Sequence, residues 1–164
     1  MNGIFDKISS YNILNYLLPG TLFAVMCDAY SSYSFVQDDI FVGVFAYYFI
    51  GLVISRVGSL VIEPLLKKVG FLKFADYDKF LAASKVDQKL DELSEANNMY
   101  RTLCSLFVFV LGFLIFDAIA GTVPYMRDVA PYVVAVILLV LFVFSYRKQT
   151  RYIVERVNRT RHDR

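Results

Sequence analysis

The sequence predicts an all-α integral membrane protein. It has four transmembrane helices, a cytoplasmic helical hairpin between the second and third, and a basic C-terminal helical tail. Three observations predict this. Of the 164 residues, 57% are hydrophobic, against about 45–50% in soluble domains, and the excess is gathered into four blocks. Basic residues cluster in alternate connections only. The one substantial polar insert has helical periodicity.

Residues 1–12 precede the first block. Ile4, Phe5, Ile8 and Tyr11 recur at helical spacing among Asp6, Lys7, Ser9 and Ser10. That is an amphipathic stripe suited to a membrane surface. Residues 13–30 form the first apolar segment, interrupted by Asn15 and Pro19-Gly20. The stretch after Gly20 is too short to cross a bilayer, so a kinked helix beginning near Tyr11 is expected. Residues 40–62 form the clearest span. Gly51, Ser55 and Ser59 recur every four residues along it, a row of small side chains that permits close helix packing. Arg56 lies near its inner boundary, from where a guanidinium reaches headgroup water. Pro64 is expected to bend or end this helix.

Residues 67–101 form the polar insert. A first helix is expected over 76–84, with Phe80, Leu81 and Ala83 on its apolar side. A second begins at Gln88, capped by Asp87. Leu90, Leu93, Ala96, Tyr100 and Leu103 form its apolar stripe, and nothing breaks it before the third span, residues 102–121. A short connection leads to the fourth span, 129–146, with Pro131 expected in its first turn. The tail, 147–164, continues as a helix. Arg151 and Glu155 are spaced i,i+4 in it, beside a thin stripe of Tyr146, Thr150, Ile153 and Val157.

Charge sets the orientation. The connection "DAYSSYSFVQDD" has three Asp and no Lys or Arg, and "GTVPYMRDVAP" has Arg127 alone. The insert carries Lys67, Lys68, Lys73, Lys79, Lys85, Lys89 and Arg101, and the tail carries Arg147, Lys148, Arg151, Arg156, Arg159, Arg161 and Arg164. Basic connections stay in the cytoplasm, so both termini are expected there.

Catalytic signatures are missing. The sole histidine is His162, and no zincin, nucleophile-elbow, phosphate-loop or dinucleotide pattern occurs. No cofactor or metal site is expected. Cys27 and Cys104 fall in apolar segments and are expected to be small buried hydrophobes. Polar residues in or beside the spans are the remaining pointers. Asp28 and Asp117, with Asp38, Asp39 and Asp128, suggest an acidic outer rim, in an oligomer the mouth of a cation pore. Ser94, Glu95, Asn98 and Arg101, joined by Arg56, suggest a cytoplasmic ligand or partner site. Arg56 is expected to meet Glu95 or Asn98.

At "RVGSLVIEPLLKK" and "LSEANNMYRT" the chain resembles small bacterial multi-pass proteins. Its four-pass plan is similar to the membrane components of compact anti-phage defence systems of the Kiwa or Hailong kind. The resemblance implies a component of the bacterial inner membrane, held quiet by a cytoplasmic partner or nucleotide signal until infection is sensed. The resulting expectation is a non-enzymatic homo-oligomeric membrane effector or channel, a tetramer on symmetry grounds. Its partners would be the lipid bilayer and a soluble cytoplasmic protein or a nucleotide or oligonucleotide. The alternatives are a membrane scaffold that tethers a soluble partner, and a lipid-modifying or transport protein.

Overall fold

A computed structural model describes residues 13–84 and 86–162; the amphipathic stripe of residues 1–12 lies outside the described residues. The described residues form helices joined by short connections, with no strand among them. A five-residue π-turn, Ile13–Leu17, leads into α1 (Leu18–Tyr30). Then come α2 (Ile40–Val57), a second π-turn (Gly58–Ile62) and α3 (Glu63–Lys68). These are followed by α4 (Tyr77–Ser84), α5 (Lys89–Ala120) and α6 (Met126–His162). The chain divides into one unit that ends at Gly121 and another that begins at Thr122.

Three helices are long and apolar enough to cross a membrane: Ile40–Lys68, Lys89–Ala120 and Met126–Asn158. Among the described residues the first apolar segment is not one of these helices. Its α-helical part, α1, has 13 residues, about 20 Å at 1.5 Å per residue.

Both interior prolines before residue 100 are handled in the same way. A proline lacks the N–H that would bond four residues back, and its ring presses on that carbonyl. Each is preceded by a wider π-turn: Ile13–Leu17 before Pro19, and Gly58–Ile62 before Pro64. The widened turn takes up the misfit. The helix continues through Pro19-Gly20 into α1. One expectation is corrected: Pro64 does not end the helix at residue 62, since α3 runs on to Lys68. Pro131 likewise lies inside α6 rather than in its first turn, because α6 begins at Met126.

Within the first unit, α1, α2 and α5 pack together. A Cβ on Gly20 would overlap the Tyr47 carbonyl, and one on Gly51 would overlap the Tyr16 carbonyl. Tyr16 thus faces Gly51 and Gly20 faces Tyr47, so the two segments run antiparallel with their backbones in contact. Glycine is required at both points because any side chain would separate the helices. The apolar core consists of Phe23, Cys27, Ile54, Leu106 and Val110.

The connection between α1 and α2, residues 31–39, folds back onto this core. Phe35 packs on Phe23 and Phe113, with centroids 5.6 and 5.2 Å away, and Tyr33 packs on Phe113 at 5.5 Å. Asp39 then caps α2, accepting from the Phe41 and Val42 N–H groups at 2.8 and 2.9 Å.

The insert folds close to expectation. In α4, Phe80 and Leu81 are half-buried but Ala83 is exposed. Asp87 Oδ1 accepts from Lys89 N–H at 3.0 Å at the start of α5. The apolar stripe of α5 is only partly covered: Leu93 and Tyr100 are exposed. Cys27 is buried, but Cys104 is exposed, which corrects its reading as a buried hydrophobe. The second unit is a single helix of 37 residues, about 55 Å long. It joins the fourth apolar segment to the tail without a break.

Candidate functional site

Polar side chains meet where α1, α2 and α5 converge, level with the two π-turns. Asn15, Ser55, Thr102 and Ser105 are all buried. Thr102 Oγ1 lies 2.9 Å from the Asn98 carbonyl, 3.1 Å from Asn15 Oδ1 and 3.3 Å from Ser55 Oγ. A hydroxyl has one proton to give and two lone pairs to offer. Thr102 donates to the nearest of these, the Asn98 carbonyl, and Ser55 can donate to Thr102 in turn. Ser105 Oγ donates to the Arg101 carbonyl at 3.1 Å. Such groups buried together in an apolar bundle tie three helices at one level, because an unpaired polar atom there is costly.

Asn15 stands here because the π-turn before Pro19 carries it. Ser55 is one turn beyond Gly51 on the packed face of α2. Gly58 completes that face: a Cβ there would lie 3.3 Å from Arg101 Cγ and 2.5 Å from Ser105 Oγ. The buried row of α2 is therefore Gly51, Ser55 and Gly58, while Ser59 is half-buried beside it.

An ion-pair clamp lies next to this node. Arg101 Nη1 donates to Glu63 Oε2 at 2.8 Å, and Lys67 Nζ donates to Glu63 Oε1 at 2.7 Å. The Glu63 and Arg101 side chains are 15% and 20% exposed, so this pair is far less screened than a surface bridge. Arg101 Nε is buried without a partner among the described residues. The clamp ties α3 to α5 across 38 residues of sequence.

The expected cytoplasmic site is only partly assembled. Arg101 and Asn98 belong to the clamp and node. Ser94 is half-buried, Glu95 is exposed, and Arg56 is half-buried. The partner of Arg101 is Glu63, and among the described residues no hydrogen bond or ion pair joins Arg56 to Glu95 or Asn98, which corrects that pairing. Two turns separate Arg56 from Glu63 on one helix, whereas α5 brings Arg101 directly alongside. Sequence reasoning noticed Asn15 only as an interruption and passed over Thr102 and Ser105. Their signal was present: three small polar residues in the apolar blocks.

The two carboxylates expected at an outer rim sit in different surroundings. Asp28 is exposed. Asp117 accepts from the Ser32 N–H at 2.8 Å through Oδ2, and from the Ser32 hydroxyl through Oδ1. Asp117 therefore anchors the returning loop. Among the described residues no cluster of His, Cys, Asp or Glu is suited to hold a metal ion.

Comparison with protein-family models, curated proteins and solved structures returns no match in any of the three.

Proposed function

We propose that the chain is a four-pass protein of the bacterial inner membrane with both termini in the cytoplasm. It acts as a non-enzymatic homo-oligomeric effector or channel whose state is set at its cytoplasmic hairpin. One observation carries this reading: α5 is a single 32-residue helix, about 48 Å long. It runs from the hairpin, through the buried polar node, to the Asp117 anchor. A helix of that length exceeds the apolar thickness of about 30 Å. Its cytoplasmic turns therefore act as a lever on the node. A partner, nucleotide or oligonucleotide that moves the hairpin moves Arg101 and Thr102 with it.

Self-association has its own support. In the apolar window of α6 only 6% of residues are buried. On α2, Ile40, Phe41 and Phe45 are exposed at 74%, 75% and 76%. Lipid or a second copy covers these surfaces. Purified protein in planar bilayers is expected to show oligomer-dependent conductance that Arg101→Met alters. A strictly monomeric, non-conducting protein would sink the reading. Phage plating on cells with and without the gene tests the defence role implied by the resemblance, and equal plating counts against it.

A scaffold that tethers a soluble partner is the second reading. It is favoured by Asp117, whose carboxylate is taken up by Ser32 rather than presented at a pore mouth. Co-purification in gentle detergent of a partner lost on deleting α4 supports it. A lipid-modifying role would rest on Glu63. That carboxylate is held by two cations, which suits a clamp better than a proton acceptor.

A further inference from the structure

The chain leaves α3 through a tightly specified turn. Gly70 has φ +77°, the left-handed conformation that glycine adopts without strain. The Phe71 N–H bonds the Leu66 carbonyl at 3.0 Å and the Gly70 N–H bonds the Lys67 carbonyl at 3.1 Å. These are the two bonds of a Schellman motif. The motif reverses the chain at the end of the span instead of releasing it into solvent.

The reversed segment is held in place from below. Lys67 Nζ sits 3.9 Å from the centroid of the Phe74 ring. The same ammonium bonds Glu63, and Glu63 bonds Arg101. Phe74, Lys67, Glu63 and Arg101 thus form one continuous chain of contacts from the turn to α5. Yet Phe71 and Val69 emerge from this fixed turn 77% and 66% exposed. The Lys68 and Lys73 side chains flank them, also exposed.

The length of the span says where the turn lies. Ile40–Lys68 has 29 residues, about 44 Å as a helix. This matches a bilayer with its headgroup layers, about 40–45 Å. The turn after Lys68 therefore falls within a headgroup layer. Exposed apolar side chains between lysines suit that layer, where rings reach the acyl chains and ammonium groups meet phosphates.

We propose that residues 68–74 form a rigid interfacial anchor for anionic phospholipid. Val69 and Phe71 seat among the acyl chains and Lys68 and Lys73 among the phosphates. The inference rests on the membrane-spanning reading of α2 and α3. Through the clamp, the anchor ties the lipid surface to the same helix that joins the hairpin to the polar node.

The chain contains no Trp, so a single introduced Trp reports its own surroundings. Full-length Phe71→Trp, Phe49→Trp and Val86→Trp are reconstituted into phosphatidylcholine vesicles with or without phosphatidylglycerol. Brominated lipid and aqueous iodide serve as quenchers. The Phe71→Trp reporter is expected to emit to the blue of Val86→Trp, to be quenched by brominated lipid and to resist iodide several-fold better. Phosphatidylglycerol should strengthen the shielding, and adding Lys68→Gln with Lys73→Gln should abolish that gain. An iodide response equal to that of Val86→Trp overturns the anchor. So does shielding from both quenchers, which would mean that protein covers the turn. If Phe49→Trp, within the span, escapes brominated lipid, the spanning reading itself fails. If Phe49→Trp is quenched and Phe71→Trp is not, only the anchor falls.

Discussion

At the scale of single residues, the contacts around Arg101 and Thr102 bear most directly on stability. Arg101→Met leaves the half-buried Glu63 with Lys67 alone and is expected to cost about 2 kcal/mol, the range for hydrogen bonds to charged groups. Lys67→Met should cost less, under about 1 kcal/mol, since the Lys67 side chain is 42% exposed and solvent screens it. Thermal unfolding of the purified protein in lipid nanodiscs would rank the two, and equal losses would contradict the clamp geometry. Thr102→Val removes the hydroxyl shared with Ser55 and Asn15 at nearly constant volume. A loss of about 1–3 kcal/mol is expected for the polar groups left unpaired, with Thr102→Ser retaining most of the stability. Glycines offer a sharper contrast. Gly51→Ala drives a methyl into the Tyr16 backbone, whereas a Cβ on Gly112 meets nothing within 4 Å. Gly51→Ala should therefore separate the helices and lower the melting temperature markedly. Gly112→Ala should be neutral or stabilising, by up to about 1 kcal/mol from helix propensity.

At the scale of elements, the two π-turns and the loop between α1 and α2 decide how the helices meet. A π-turn spends one extra residue per turn, so it shifts the face that each helix presents beyond it. Gly58–Ile62 thereby places Glu63 opposite Arg101 on α5. At the other end, residues 31–39 are pinned by Ser32 on Asp117 and by Phe35 and Tyr33 on Phe113. Asp117→Ala should free the Ser32 amide. Its hydrogen exchange should then quicken sharply, while the exchange of core amides near Leu106 stays slow. If the Ser32 amide exchanged at the same rate in both proteins, the anchor would be irrelevant to the loop.

For the whole molecule, orientation is the property most open to test. The acidic connection at residues 28–39 and the basic insert at 67–101 are expected on opposite sides. In a Cys27→Ala, Cys104→Ala background, Ser34→Cys should react with an impermeant maleimide on spheroplasts, and Val86→Cys should react only after lysis. The reverse pattern would invert the topology, and reaction of both from outside would deny that the Ile40–Lys68 helix crosses. Salt offers a second check at this scale. An interaction made through the exposed arginines of the tail should weaken as ionic strength rises. The half-buried Glu63–Arg101 pair should respond much less.

Much of the architecture is legible from the sequence because it rests on local physics. Apolar blocks of spanning length, the uncapped run from the insert into α5 and the Asp87 start are all readable from periodicity and propensity. So is the asymmetry of lysine and arginine that orients the expected crossings. Tertiary structure decided which polar residues find one another. Asn15 and Ser55 lie 87 and 47 residues from Thr102 along the chain, and no periodicity links them. Glu63 rather than Glu95 meets an arginine because a π-turn before Pro64 rotates it towards α5. Gly20 looked like a place for the chain to bend. It is where two backbones touch, and only the packed partner could show that the missing side chain makes room for Tyr47.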